Sequence, residues 1–167
     1  MKPLIKLVVL TVTIICMGAE VVAQQRQPAP PAPPAPYGAP ITLEQSKKLA
    51  AATVAEGAKN GWNLVVAVVE PSGDLVYFER ADGVQYASFN LALAKARASA
   101  LYRRPTKVFA DAVSGGQMFF LSFKDVIAVD GGHPIVVDGK IIGGIGVTGA
   151  SAVQDSQAAI AGIAALK

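Results

Sequence analysis

Cysteine and histidine are nearly absent: the 167-residue chain holds one of each. One cysteine excludes an intramolecular disulfide framework, and one histidine excludes a His-rich metal cage and leaves Ser/His/Asp chemistry poorly supplied. Charge is scarce too, at 16%, and fifteen Lys and Arg against twelve Asp and Glu leave a net +3. Without a concentrated basic face, that balance does not hold a nucleic-acid backbone, so no nucleic-acid partner is expected. What is plentiful is apolar matter, 52% of the chain, together with glycine and alanine, in a length suited to one ordinary domain.

The N-terminus reads as a secretory signal. Lys2 and Lys6 precede an apolar run from Leu7 to Met17, and Val21-Val22-Ala23 stands before Gln24, which predicts cleavage after Ala23. The competing reading is a retained anchor, but the uncharged run between Lys6 and Glu20 is shorter than the roughly 20 residues of a spanning helix, so no stable membrane span is expected after cleavage. Cys16 lies within the leader, behind Thr13-Ile14-Ile15 rather than a lipoprotein-like run of small residues. The mature protein would have no cysteine and a net charge of +2, and would be periplasmic or extracellular. Residues 24–40 follow as a linker, with seven of the eleven prolines between Pro28 and Pro40, a composition that favours a semi-rigid polyproline spacer. The folded domain is expected over 41–167.

Within it, Thr42 and Gln45 form a capping box ahead of a helix running to about Lys59, stopped by Asn60-Gly61. Leu64 to Val69 and Leu75 to Glu79 flank the turn Pro71-Ser72-Gly73-Asp74 and read as an antiparallel hairpin whose first strand is buried on both faces. An Ala-rich helix is predicted over Tyr86 to Tyr102, then a short helix from Thr106 to Val113. Met118 to Phe123 is an apolar connector of no assignable structure. Val126 to Val129, Ile135 to Val137 and Ile141 to Val147 read as three strands, the last two joined by the hairpin signal Asp138-Gly139. Ser151 with Gln154 caps a final helix. The order implies an α+β layered domain, a central antiparallel sheet of about five strands flanked by helices.

Few residues carry chemistry. Gly144-Ile145-Gly146-Val147-Thr148-Gly149 satisfies G-x-G-x-x-G, but the acidic residue about 20 positions further on would lie beyond Lys167 and no second parallel strand completes the unit. Its glycines, Gly146 and Gly149 among them, either present free N–H groups to an anion at the helix start or simply permit tight turns and close packing. Lys95 and Arg97 stand among small neighbours, as partners for ligand carboxylates or as a solvated stripe. Arg103 and Arg104 suit the helix C-terminus electrostatically. Thr106 is placed as an N-cap whose hydroxyl can also face a ligand. His133, in the turn Gly131-Gly132-His133-Pro134, is a candidate haem-iron ligand or an exposed polar residue. Tyr77, Tyr86, Met118, Phe119 and Phe120 line a flat apolar pocket or belong to the core. Asp155 suits the first turn of the last helix, and no carboxylate pair for acid–base catalysis is evident.

Taken jointly, three stretches resemble the GlcG/HbpS family of small haem-binding proteins. They are Val65 to Leu75, then Ala94 to Ala100 with Arg104-Pro105-Thr106, then Gly131 to Ile135 with Asp138-Gly139, Ile142 to Ala150 and Asp155. The chain is also similar to the C-terminal domain of PduO-type cobalamin adenosyltransferases. The resemblance implies a profilin-like domain that forms homo-oligomers and, in exported members, captures haem, protects against haem or iron stress, or partners a sensor kinase. Lys95, Thr106, Gly131, Gly132, Pro134, Gly144, Gly146, Gly149 and Asp155 fall on the family's pattern; His133 does not, so the resemblance brings it no iron-ligand role. The leading expectation is an exported, non-catalytic haem or tetrapyrrole binder. The alternatives are a small-molecule enzyme or accessory subunit acting on a hydroxy acid or corrinoid, or a ligand-free oligomeric signalling partner.

Overall fold

The computed structural model describes residues 33–167, so the expected leader and cleavage site, and the linker as far as residue 32, lie outside the described residues. Four helices and four strands follow in the order α1 (Leu43–Lys59), β1 (Val65–Val69), β2 (Leu75–Arg80), α2 (Ser88–Tyr102), α3 (Lys107–Ser114), β3 (Gly132–Val137), β4 (Lys140–Thr148) and α4 (Ala152–Ala164), with a 3-10 turn at Met118–Ser122. Both predicted capping boxes form: Thr42 with Gln45 starts α1, and Ser151 with Gln154 starts α4. The Asp138-Gly139 hairpin has positive φ at both residues, 49° and 73°, as a two-residue turn matched to strand twist requires.

The sheet is antiparallel throughout, in the order β2-β1-β4-β3. All five residues of β1 are buried. Val66 and Val68 face α1 and α4 through Leu49, Ala50, Ala158 and Ala159, while Val65, Ala67 and Val69 face α2 through Ala92, Ala96 and Ala100. Each fully buried valine contributes roughly 1.5–3 kcal/mol of transfer free energy, so this one strand anchors two cores. The small residues of α2 meet glycines on β4. A Cβ on Gly144 would lie 2.5 Å from the Ala96 carbonyl oxygen, and one on Gly146 would run into that of Ala92, so the helix backbone rests almost directly on the strand.

One expectation changes. The sheet has four strands, not about five, because Val126 to Val129 forms no ladder; it runs irregularly past the outer face of α2. Within the expected linker, residues 36–38 are hydrogen-bonded to β4. Gly38 donates to Ile141 O, Ile141 to Pro36 O and Ile41 to Ile142 O, while the Tyr37 hydroxyl lies 3.0 Å from the carbonyls of Ala100 and Leu101. This segment occupies the flank of β4 beyond the end of β1, whose pairing stops at Gly144.

Candidate functional site

Polar chemistry gathers at the end of the sheet where α2, α4 and the 130–133 segment converge. Lys95, from the middle of α2, reaches around the end of β4 and donates to Val147 O at 2.8 Å, Asp155 Oδ2 at 2.8 Å and Thr148 Oγ1 at 3.4 Å. The two charged side chains are 1% and 3% exposed. Asp155 accepts the Ala150 N–H on its other oxygen. Burial pushes the Asp155 carboxyl above its ordinary range, opposed by the hydrogen bond and charge of Lys95, the Ala150 N–H and Thr148. An ammonium has three donors, and all three are engaged. The expected contact between Lys95 and a ligand carboxylate therefore has no open approach: the residue ties the two helical layers together across the sheet end.

Thr106 departs from its expected capping role. It holds the N-cap position of α3 in helical conformation with no side-chain cap; its hydroxyl accepts the Gly132 N–H at 2.9 Å while its own N–H donates to Gly132 O at 2.9 Å. This two-point clamp pins the start of β3, and Thr106 is fully buried in making it. Gly131, at φ 110°, sits so close to the ion pair that a Cβ there would lie 2.8 Å from Lys95 Nζ.

His133 is neither in the turn nor exposed. It lies in β3 opposite Ile145, its side chain 13% exposed, with Nε2 2.7 Å from Ser156 Oγ and 3.9 Å from Asp130 Oδ1. Burial holds its pKa below the ordinary imidazole value, with Asp130 pulling the other way. Asp130 and Ser156 both approach Nε2, so the trio is not the relay in which a carboxylate orients the opposite ring nitrogen. Nε2 is engaged by Ser156, so a ligand reaching that nitrogen would have to displace the hydroxyl.

Arg97 donates its Nε–H to Gly73 O at 2.9 Å and lines a small cleft on the outer side of α2. Gly146 and Gly149 serve packing and chain reversal: Gly146 admits α2, and Gly149, at φ 135°, passes against the Asn63 carbonyl. At the start of α4, Ser151 Oγ accepts the Gln154 N–H and Asp155 accepts the Ala150 N–H.

The surface rich in ligand-sized apolar area lies elsewhere. Met118, Phe119, Leu121 and Phe123 are 58%, 56%, 53% and 43% exposed, although large apolar side chains are usually turned inward. Phe119 stacks on Phe120 with centroids 4.4 Å apart, and the series continues edge-to-face through Phe120–Phe123, Phe109–Phe120 and Tyr102–Phe109 at 5.3–5.6 Å. A cation borders it: the Arg104 guanidinium lies 6.0 Å over the Phe109 ring, and Lys124, whose backbone carbonyl receives the Tyr102 hydroxyl, follows Phe123 in the chain. The arrangement offers exposed aromatic rings, one pair stacked and the others edge-to-face, with a thioether and the Arg104 cation beside them.

Residues 41–164 match the family described as haem degrading protein HbpS-like. The chain belongs to that HbpS-like family. It is 37% identical to Protein GlcG of Escherichia coli K12 over 107 residues, covering 62% of this chain and 80% of GlcG. A crystal structure of a Streptomyces reticuli HbpS double mutant superposes with a TM-score of 0.72 at 31% identity, covering 84% of this chain and 99% of the other. The crystal structure of a PduOC:haem complex aligns with a TM-score of 0.69 at 26% identity, over 75% of this chain and 94% of that one. The HbpS-like fold is therefore shared by proteins of which at least one has been crystallised with haem.

Of the residues singled out from the sequence of this HbpS-like chain, Lys95, Thr106 and His133 converge at one sheet end, through Gly131 and Gly132. Arg97 and the aromatic turn lie outside that cluster. Ser156, one hydroxyl within a helix, has no sequence signature, and Asp130 reads from the sequence only as one of several turn carboxylates. Leu121 and Phe123 belong to an apolar run read only as a connector; the surplus of aromatics over any strand or helix periodicity was the available signal.

Proposed function

We propose that this chain is an exported haem-binding protein that captures haem on the aromatic surface around Met118–Phe123. The observation that carries the reading is that surface: contiguous, exposed and bordered by the Arg104 cation, in a chain of the HbpS-like family. The residues suit the group. Phe119 and Phe123 would pack against a planar apolar macrocycle, Arg104 and Lys124 would pair with its carboxylates, and the Met118 thioether would be the accessible soft donor for iron. Haem bound there supplies a redox-active iron; the chain's own part is to bury the ring edge, fix its orientation and neutralise its carboxylates. Export is supported by Lys2, Lys6 and the apolar run to Met17, and predicts a mature chain beginning at Gln24. Homo-oligomer formation is supported by Val153 and Ile160, 75% and 54% exposed two turns apart on α4.

The test is a difference-absorbance titration of the purified protein with haemin. Saturable one-to-one binding is expected, weakened at least tenfold by Phe119→Ser with Phe123→Ser, spectrally shifted by Met118→Ala and unchanged by His133→Ala. Undiminished binding by the double phenylalanine variant would refute the surface. The family's description favours a second reading, in which bound haem is broken down. A Soret band that decays over time with peroxide or a reductant, faster with protein than without, would establish it.

A further inference from the structure

Between the outer face of α2 and the segment that follows the aromatic turn lies a cavity of about 220 Å³, walled by Asn90, Leu93 and Arg97 on the helix and by Asp125, Val126 and Ile127 opposite. At roughly 30 Å³ per molecule it holds about seven waters, and it falls below the ~300–1,000 Å³ of cavities that enclose drug-sized ligands. A haem does not fit within it.

Its lining is divided by chemistry. Arg97 is fixed through its Nε–H by the Gly73 carbonyl, which leaves the terminal N–H groups of the guanidinium for another acceptor. Asp125, an exposed residue, also lines this cavity, and among the described residues neither side chain makes an ion pair within 4.0 Å. Opposite charges thus line one small cavity without neutralising each other, beside four aliphatic side chains, of Leu93, Ala94, Val126 and Ile127, and the Asn90 amide. We propose that this cavity binds a small zwitterion of the α-amino acid class with an aliphatic side chain. Its carboxylate pairs with Arg97, its ammonium with Asp125, and its side chain lies against Leu93, Val126 and Ile127. Both charges are required for the match: a plain carboxylate meets Asp125 as a like charge, and a plain amine meets Arg97 as one.

Calorimetric titration of the protein with L-valine, isovalerate and isobutylamine tests it. Saturable binding of L-valine is expected, with isovalerate, which lacks the ammonium, and isobutylamine, which lacks the carboxylate, each bound at least tenfold more weakly. Asp125→Asn is the clean variant, because the residue has φ 62° and asparagine tolerates the left-handed region as aspartate does. It should weaken L-valine at least tenfold with an unchanged far-UV circular dichroism spectrum. Absence of L-valine binding, equal affinity for isovalerate, or undiminished binding by Asp125→Asn would each overturn the proposal; the two wild-type controls decide it even if the variant does not fold.

Discussion

Replacing Lys95 by methionine keeps the length and volume of the stem but removes the ammonium, leaving Asp155, 3% exposed at its side chain, with only neutral donors. Removing one member of a buried ion pair costs about 3–5 kcal/mol, because the surviving charge is unpaired, against a total stability of about 5–15 kcal/mol. The expected result in urea unfolding is a loss of that size at pH 7.5, with a melting temperature lower by about 10 °C. The pH dependence has a definite sign. Without the cation, burial raises the Asp155 carboxyl further, the folded variant favours the protonated form, and the stability gained from that form is lost as pH rises. The deficit is therefore smaller at pH 5 than at pH 7.5. Lys95→Met with Asp155→Leu removes both charges and should recover most of the loss, short of about 1–2 kcal/mol for the orphaned Ala150 N–H. A single variant less than about 1 kcal/mol below wild type, or a double variant no better than the single, would refute the reasoning.

Gly146→Ala pushes a methyl group into the Ala92 carbonyl, backbone against backbone, so neither side can yield by rotamer. A loss of about 1–3 kcal/mol or more in thermal or urea unfolding is expected, and a neutral substitution would show that α2 does not rest on β4 so closely. His133 is the only histidine, and burial depresses its pKa, so the unfolded chain takes up a proton first as pH falls. Its contribution to stability is fully present above about pH 6.5 and declines below it, levelling once pH passes the folded-state value. The wild type minus His133→Gln difference in unfolding free energy should shrink from pH 7.5 to 5.0; a difference constant with pH would contradict the burial of the neutral ring.

Much of the architecture was legible because it is locally encoded. The boxes Thr42/Gln45 and Ser151/Gln154 satisfy orphan N–H groups from side chains three residues apart, and Asp138-Gly139 tolerates the positive φ of a tight hairpin. The uninterrupted aliphatic run of β1 announced burial on both faces. Val126 to Val129 misled because an apolar run signals burial without naming its partner, and here the cover is the outer face of α2 rather than a neighbouring strand. Thr106 misled for a related reason: a threonine before a helix suits a cap, yet Gly132, far along the chain, competes for its hydroxyl.

The sequence by itself determined the four main helices and two hairpins, the capping boxes at Thr42 and Ser151, the tight turns, the scarcity of acid–base groups and the family resemblance, since these rest on interactions within a few residues or on composition. Only the tertiary structure decided that Lys95 closes on Asp155, that His133 meets Ser156, and that the aromatics of Met118–Phe123 face outward. Those outcomes depend on contacts between residues tens of positions apart, and whether a charge is exposed or paired is fixed by what the fold packs against it.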